Sequence, residues 1–192
     1  MIRKEKGGKE RKSRKRFFNK KNSIMEFENK ILSAEIQRIM YEAGLTLSTA
    51  ESCTGGHIAE SIIAVPGSSE YFKGGVISYT NEIKERLLGV DPQLIAEKTA
   101  VSEEVAVSMV RGAIRTMQTD FAIAATGVAG PGGGTKEIPV GTIWLACGSV
   151  DEVATFKMEE DEGRDKNLAN ASSKALHMFL DFLREHVEKK SE

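Results

Sequence analysis

The chain has 192 residues, of which 40% are hydrophobic, and a net charge of −1. This length and composition suit a single α/β domain with a sizeable core. No apolar run approaches the roughly 20 residues that a membrane-spanning helix needs, which predicts a soluble protein without a membrane partner. Two cysteines are too few for a disulfide framework and favour a reducing, cytoplasmic location.

The charge is unevenly distributed along the chain. Residues 1–22 contain eleven Lys and Arg residues against two Glu, a net +9, so the remaining residues carry −10. This segment has no apolar stretch of the kind found in a secretory signal. Its charge suits a nucleic-acid arm, but its composition favours disorder, and an acidic domain is a poor surface for nucleic acid. We therefore predict a basic, disordered tail over residues 1–24, a domain over residues 25–192, and no specific nucleic-acid partner.

The first elements of the domain follow directly after this tail. Apolar residues at helical spacing between Ile31 and Ala43 predict a helix that Gly44 ends. Residues 45–50 alternate in the manner of a short strand, and residues 58–63 place their apolar side chains on one helical face. The pattern is therefore helix, strand, turn and helix.

The turn between this strand and the second helix carries two hydroxyls, a thiol, a carboxylate and two glycines. The first N–H groups of a helix lack intrahelical partners, so we expect them to face an anion or a developing oxyanion. Gly55 and Gly56 would let a ligand approach the backbone closely. The simpler alternative is that Ser52 or Thr54 only caps the helix.

The later elements complete an alternating pattern of strands and helices. We predict a strand over residues 73–79, a short helix with Asn81 as its N-cap, and a helix that starts at Asp91-Pro92. Ser102 is placed to cap a long amphipathic helix. The remaining strands are predicted over 120–126, 140–147 and 153–158, followed by a terminal helix. This order predicts a mostly parallel sheet with one antiparallel strand and helices on both faces.

Three of the predicted turns follow strands and are expected to meet at one edge of the sheet. They bring together Ser52, the amine of Lys84, the phenol of Tyr79 and a glycine-rich loop. A serine becomes a nucleophile when a base lies beside it, and a lysine with a lowered pKa can be that base. Taken singly, Lys84 would more often be a solvated helix residue, and Tyr79 a half-buried strand aromatic.

The glycine-rich loop over residues 127–134 contains five glycines. It is neither a Walker A motif nor a dinucleotide fingerprint, because no Gly-Lys-Ser/Thr closes it and a strand follows it. It favours close approach by a phosphate or ribose. Arg164 would either form a surface ion pair or bind a phosphate. No His, Cys, Asp and Glu grouping has the spacing of a zinc site, so we predict no metal.

Six motifs occur along the chain in order: TAESCTGG (49–56), PGSS (66–69), YTNEIK (79–84), AVS (100–102), TGVAGP (126–131) and PVGT (139–142). Together they resemble the CinA C-terminal-domain family from about Phe27 to the end of the terminal helix. The resemblance implies a three-layer α/β/α fold with a mixed, mostly parallel five-stranded sheet. It also implies an amidohydrolase that converts nicotinamide mononucleotide to nicotinate mononucleotide and ammonia, without a metal or organic cofactor.

The family's Ser–Lys pair carries over to Ser52 and Lys84, with Tyr79 assisting. The predicted contacts to the pyridine mononucleotide come from the first turn, the glycine-rich loop and the start of the last helix: Thr54, Gly55, Gly56, Thr126, Gly127, Gly130, Gly133 and Arg164. The backbone N–H groups of residues 53–55 are candidates for an oxyanion site. Family members commonly carry Gly-Asp-Arg and a further Arg one turn later, where this chain has Glu162-Gly163-Arg164 and Leu168.

Two alternatives to this interpretation stay open at this point. One is an amidase that uses the neighbouring thiol of Cys53, which is intrinsically the better nucleophile. The other is a non-catalytic nucleotide-binding or regulatory module of the same family. The resemblance suggests a stand-alone form, and the sequence leaves homo-oligomerisation open.

Overall fold

A computed structural model describes residues 6–189 of the protein, and the side chains of residues 24–186. Its helices and strands follow the predicted order. They are α1 (Lys6–Ala43), β1 (Leu47–Glu51), α2 (His57–Ile63), a 3-10 turn (Ser68–Glu70), β2 (Phe72–Ile77), α3 (Asn81–Leu88), α4 (Pro92–Lys98), α5 (Glu103–Met117), β3 (Phe121–Gly127), β4 (Ile143–Gly148), β5 (Val153–Met158) and α6 (Arg164–Lys189).

The five strands form one mixed sheet in the order β2-β1-β3-β4-β5. β1 pairs in parallel with both β2 and β3, while β4 runs antiparallel to β3 and to β5. One strand is thus reversed in a mostly parallel sheet, as predicted. The centrally placed β1 is flanked on both sides by strands of the same direction, so the carboxyl ends of β1, β2 and β3 meet at one edge.

Each face of the sheet is covered by its own hydrophobic core. One core joins the sheet to α1, α2 and α6, and includes Leu47, Phe121 and Leu145 from the strands. The other joins it to α3, α4 and α5, and its strand residues are mostly alanines, such as Ala50 and Ala124. Burial of these two apolar surfaces is the main force that holds the three layers together. The predicted three-layer α/β/α fold is confirmed.

The structure corrects two local predictions. The N-cap of α3 is Thr80, whose hydroxyl accepts the N–H of Ile83, and Asn81 is the first helical residue. β4 begins at Ile143 rather than at residue 140, because the chain turns at Gly141 with a left-handed φ of 95°. By contrast, the predicted caps Asp91 and Ser102 are confirmed by hydrogen bonds to Gln93 and Val105.

The predicted tail lies partly within this description, since the backbone of residues 6–24 forms the first part of α1. Residues 1–5 lie outside the described residues, and side chains are described only from residue 24 onward. The helical backbone from Lys6 onward differs from the predicted disorder, and for residues 1–5 disorder stays a prediction. Within the described part of the chain, no helix combines the length and apolar character that crossing a bilayer requires.

Candidate active site

β1 delivers Ser52 to the carboxyl edge of the sheet. The backbone ladder continues one residue past the strand, since the Ser52 N–H donates to the Ala125 carbonyl at 2.9 Å. On the other side, the Ser78 N–H donates to the Glu51 carbonyl at 2.8 Å. Backbone hydrogen bonds from both neighbouring strands thus hold Ser52 on a rigid platform.

The turn after Ser52 is closed by Glu51 rather than by a hydroxyl. One oxygen of the Glu51 carboxylate accepts the N–H groups of Gly56 (2.9 Å) and Ile58 (3.1 Å), and the other accepts that of Ala59 (2.9 Å). The N-cap of α2 is Gly56, in a left-handed conformation without a side-chain cap. The interpretation of Ser52 or Thr54 as the helix cap is therefore wrong.

This arrangement also corrects the expectation that the start of α2 faces an anion. The His57 N–H donates to the Thr54 carbonyl at 3.2 Å, and the N–H groups of Ile58 and Ala59 donate to Glu51. Glu51 is 1% exposed and carries the negative charge that favours this end of the helix. The first N–H groups of α2 are satisfied internally and do not offer a phosphate site.

α3 presents Lys84 to Ser52 because the helix is fixed at both ends. Lys84 and Leu88 lie one turn apart on its buried face. At its carboxyl end, α5 supplies two donors: the Thr116 hydroxyl to the Leu87 carbonyl (2.7 Å) and Arg115 to the Leu88 carbonyl (3.0 Å). These bonds satisfy carbonyls that a helix end leaves free. The position of Lys84 is thereby set by packing against α5.

Lys84 contacts Ser52 directly. Its Nζ donates to Ser52 Oγ at 2.9 Å and to the Ser78 carbonyl at 2.8 Å. Lys84 is 2% exposed and Ser52 is 8% exposed. Burial lowers the pKa of Lys84, because the charged amine loses its hydration, while the nearby Cys53 acts weakly in the opposite direction. The predicted pairing of a serine with a lysine of lowered pKa is present in the structure.

Cys53 and Lys84 take opposite faces at the end of β1, although they are close enough to influence each other electrostatically. Its side chain belongs to the core with α1, α2 and α6, whereas Lys84 approaches from the face covered by α3. Burial raises the pKa of the Cys53 thiol to about 12, although the adjacent backbone N–H groups lower it slightly. A thiol with this pKa is protonated at neutral pH and is a poor nucleophile. The geometry therefore favours Ser52 over Cys53.

The other predicted residues of the first two turns lie around the pair without joining its hydrogen bonds. The Tyr79 side chain is 61% exposed at the rim. Thr54 is buried, and its hydroxyl has no hydrogen-bond partner among the described residues. Gly55 has a left-handed φ of 58° and open space beside its Cα, and its N–H donates to the Ser52 carbonyl at 3.1 Å. Their contacts with substrate stay predictions.

The glycine-rich loop is held by the protein's own side chains and backbone. The Thr126 hydroxyl, which is buried, donates to the Ala100 carbonyl at 2.7 Å. A side chain at Gly127 would meet the Thr142 carbonyl of the neighbouring segment at 2.5 Å, so this glycine is required by packing. Gly130 and Gly133 both have a left-handed φ of 86°. A substrate contact at these four residues is not tested by the structure.

The start of α6 is tied to this loop by two side chains. Arg164 donates to the Gly130 carbonyl at 2.8 Å, and the amide of Asn167 donates to the Ala129 carbonyl at 3.1 Å. Asn167 is 1% exposed and also bonds Asp161 and the Glu162 N–H. Arg164 is thus placed beside the loop that follows β3, as a phosphate-binding role would require.

Two residues of the site had no role predicted for them from the sequence. Glu51 lies within the most distinctive motif, and its position before a helix start was an available signal for an N-terminal carboxylate. Asn167 gave no such signal, because an asparagine within a helical pattern is ordinary on a solvated face. Their roles are positional: one fixes the turn after Ser52 and the other fixes the loop after β3.

A cavity of about 670 Å³ lies between α1, α2 and α6, lined by residues such as Asn29, His57 and Asp165. Ser52 and Lys84 do not line it, because their contact lies on the α3 side. Within the described residues, no group of three or more His, Cys, Asp and Glu side chains is arranged to hold a metal ion.

The fold and this site define an α/β/α protein with a buried serine–lysine pair at the carboxyl edge of its sheet. Residues 29–183 match the family described as the CinA C-terminal domain. The protein therefore belongs to the CinA C-terminal-domain family, as its motifs suggested.

Relatives and solved structures agree with this assignment. A CinA-like protein of Geobacter sulfurreducens is 54% identical over 123 residues, which are 64% of this chain and 30% of that protein. The chain spans about a third of the length of the curated relatives it matches. The crystal structure of the competence/damage inducible protein CihA from Agrobacterium tumefaciens is 38% identical, with a TM-score of 0.78 over 82% of this chain and 96% of that one. A competence damage-inducible protein A from Klebsiella pneumoniae is 33% identical, also with a TM-score of 0.78, over 81% and 97% of the two chains.

Proposed function

We propose that this protein hydrolyses the carboxamide of nicotinamide mononucleotide, giving nicotinate mononucleotide and ammonia. The observation that carries the proposal is the buried hydrogen bond of 2.9 Å between Lys84 Nζ and Ser52 Oγ. A nucleophile within hydrogen-bond reach of its base is the signature of covalent acyl transfer. Membership of the CinA C-terminal-domain family supports the same reaction.

In the first half of the reaction, Ser52 Oγ attacks the carboxamide carbon. Neutral Lys84 takes the hydroxyl proton through its nitrogen lone pair, and the carbonyl oxygen becomes an oxyanion. The bond from carbon to the amide nitrogen then breaks, the ammonium of Lys84 gives its proton to that nitrogen, and ammonia leaves. The product of this half is an ester between Ser52 and the nicotinoyl carbon, and Lys84 is neutral again.

In the second half, water replaces the amide nitrogen. Lys84 takes a proton from the water as its oxygen attacks the ester carbon, and then returns the proton to Ser52 Oγ as the ester bond breaks. One water is consumed, and the product leaves as a carboxylic acid that loses its proton to the solvent to become a carboxylate. A base that works in both directions needs a pKa near the working pH, and burial moves the pKa of Lys84 in that direction.

Binding of the substrate uses the groups around the pair. Gly55 and Gly56 donate their N–H groups within the protein, so the N–H groups of Cys53 and Thr54 are the proposed oxyanion donors. The loop from Thr126 to Gly133 would hold the ribose, and Arg164 the phosphate. Tyr79, exposed at the rim, would assist the pair, as the family resemblance implies.

The test is ammonia release from nicotinamide mononucleotide by the purified full chain. Ser52→Ala and Lys84→Ala should each lower kcat by about a thousandfold or more, because each disables the nucleophile–base pair. The double variant should lose little more than either single one. Cys53→Ala should keep most of the activity, since its thiol lies on the other face of the sheet.

Other results would assign a different function. Tight binding of the mononucleotide without ammonia release would indicate a nucleotide-binding or regulatory module. Loss of activity in Cys53→Ala, with activity retained in Ser52→Ala, would assign the chemistry to the thiol.

A further inference from the structure

Ser78 is a buried serine whose hydroxyl is unpaired within the described part of the chain. It follows β2 and is completely buried, at 0% exposure. Its N–H and its carbonyl are both used, the first toward Glu51 and the second by Lys84 Nζ at 2.8 Å. Its Oγ has no hydrogen-bond partner among the described residues. A buried hydroxyl without a partner costs free energy, so its presence calls for a reason.

The hydroxyl lies on the same side of the sheet as the Ser52–Lys84 contact. Along β2, Val76 packs into the core with α3 and α5, and Ile77 points to the other face, toward Gly56. Side chains alternate along an extended chain, so Ser78 returns to the face of Val76. Glu51 and Ile77 are paired in register, which makes Ser52 and Ser78 the next pair of neighbours.

The number of N–H groups on Lys84 changes when it takes a proton, and the number of acceptors that it needs changes with it. A neutral amine has two N–H groups and one lone pair, whereas the ammonium has three N–H groups. In the structure, the amine has two oxygen partners, Ser52 Oγ and the Ser78 carbonyl. When Lys84 takes the proton of Ser52, its third N–H needs an acceptor, because a buried charge without one is costly.

We infer that the Ser78 hydroxyl is a positioning residue for the base: it accepts the third N–H of the Lys84 ammonium while that group carries the Ser52 proton. The inference rests on the proposed serine–lysine chemistry and adds a third member to it. Rotation about the Cα–Cβ bond of Ser78 brings the hydroxyl oxygen toward Nζ, and no bond is made or broken at Ser78. The ammonium is thereby held between three oxygens until it protonates the amide nitrogen, which then leaves as ammonia.

The first test is Ser78→Ala in the full chain. We expect kcat to fall about ten- to a hundredfold, the effect of losing one hydrogen bond to a charged group. The ammonium also loses stabilisation, so the pKa of Lys84 falls and the acid limb of kcat/KM moves to lower pH, by about one unit. The melting temperature should stay equal or rise, because the hydroxyl is unpaired in the resting protein.

The matched control is Ser48→Ala, a buried serine at the opposite end of β1. Its hydroxyl is paired with that of Thr119 at 2.8 Å. Removal of a paired hydroxyl should lower the melting temperature and leave kcat and the acid limb unchanged. The two substitutions therefore have opposite effects on stability and on activity. Ser78→Thr keeps the acceptor and should keep the acid limb in place.

A second readout does not depend on the substrate. A sulfonyl fluoride reacts with an activated serine, so its rate of Ser52 modification against pH also reports the ionisation of Lys84. Cys53 is the titratable group that acts electrostatically on Lys84, from the other face of the sheet, and Glu51 acts on Cys53 in the same way. The pKa of the Cys53 thiol, about 12, keeps it protonated across the range. Ser78→Ala should shift this profile to lower pH as well.

The outcomes separate the two proposals. If wild-type protein does not release ammonia but the sulfonyl fluoride profile shifts in Ser78→Ala, the proposed substrate is wrong and the role of Ser78 stands. If wild-type protein is active and both profiles are unchanged in Ser78→Ala, the role of Ser78 is refuted. A third outcome is that Ser78→Ala is less stable than wild type and that the acid limb is unshifted in both Ser78→Ala and Ser78→Thr. The hydroxyl would then stabilise the fold and have no role in the reaction.

Discussion

At the scale of single residues, the site depends on a lysine that the fold keeps out of water. Lys84 is 2% exposed, and no carboxylate forms an ion pair with it among the described residues. A buried amine without a negative partner favours its neutral form, which is the form a base requires. The same burial destabilises the folded protein whenever the amine is protonated.

Because burial of a protonated Lys84 destabilises the fold, the stability of the protein relative to Lys84→Met should depend on pH. The pKa of Lys84 is lower in the folded protein than its value of about 10.4 in the unfolded chain. Between these two values the unfolded state binds more protons, so the unfolding free energy rises with pH across this window. The free-energy cost of burying a protonated Lys84 is greatest below its pKa in the folded protein and is absent above its pKa in the unfolded chain. Wild type should therefore gain stability relative to Lys84→Met as pH rises, by up to about 1.4 kcal/mol per pH unit.

The measurement is urea unfolding of both proteins at a series of pH values. Lys98→Met is the control, because the hydrogen bond to exposed Glu104 raises the pKa of Lys98 instead of lowering it. Between the acid range in which Glu104 titrates and about pH 10.4, Lys98 is protonated in both the folded and the unfolded state. The difference in unfolding free energy between Lys98→Met and wild type should therefore not change with pH in that range. If the difference in unfolding free energy between Lys84→Met and wild type is also independent of pH, Lys84 is not held neutral in the folded protein.

At the scale of elements, the short helix α2 depends on a carboxylate from the strand before it. Glu51 closes the turn that carries Ser52 by accepting three N–H groups. Seven residues are too few for a helix to be stable without tertiary contacts. Glu51 therefore connects the end of β1 to the start of α2 and holds the nucleophile between them.

We expect Glu51→Gln to destabilise the protein by about 2–4 kcal/mol, measured by urea unfolding. The amide keeps one acceptor oxygen but places an NH₂ group against N–H donors of α2, and it loses the negative charge at the helix start. Glu60→Gln is the control in the first turn of the same helix, where the side chain is exposed, and should change stability by less than about 0.5 kcal/mol. Equal losses of stability in the two variants would show that the hydrogen bonds of Glu51 do not stabilise the protein more than an exposed glutamate does.

At the scale of the whole molecule, the site is assembled from segments far apart in the chain. Ser52 and Lys84 are 32 positions apart, and Arg164 meets Gly130 across 34 positions. The sheet edge brings the first pair together, while α6 returns from the far side of the sheet to reach the loop after β3. This second junction places the proposed phosphate contact beside the proposed ribose loop.

The role proposed for Arg164 predicts an effect on binding and not on chemistry. Arg164→Ala should raise KM for nicotinamide mononucleotide about 10- to 100-fold with kcat nearly unchanged, because a charged hydrogen-bonded contact to phosphate is lost. Nicotinamide riboside, which lacks the phosphate, should be used equally by both proteins. Lys166→Ala, at an exposed cation two residues on that pairs with Glu162, is the control and should leave KM unchanged. A fall in kcat at constant KM would contradict a phosphate contact.

Most of the fold could be predicted because local patterns and burial specify it directly. Helical spacing, caps at Asp91 and Ser102, and a stop at Gly44 lie within a few residues of the elements they define. The early alternation of strands and helices required crossover connections, which makes the early strands parallel. Element ends were less certain where the chain continues into an extended loop, as before Ile143.

The sequence by itself determined the order of the elements, the layers and the identity of the pair Ser52 and Lys84. Each of these follows from the pattern of neighbouring side chains or from a short motif. Only the tertiary structure decided how those residues meet. The burial of Lys84 depends on α5 holding α3 against the sheet, and the separation of Cys53 from Lys84 depends on which face each residue takes at the end of β1. Both are properties of packing between distant segments, and no local pattern in the chain encodes them.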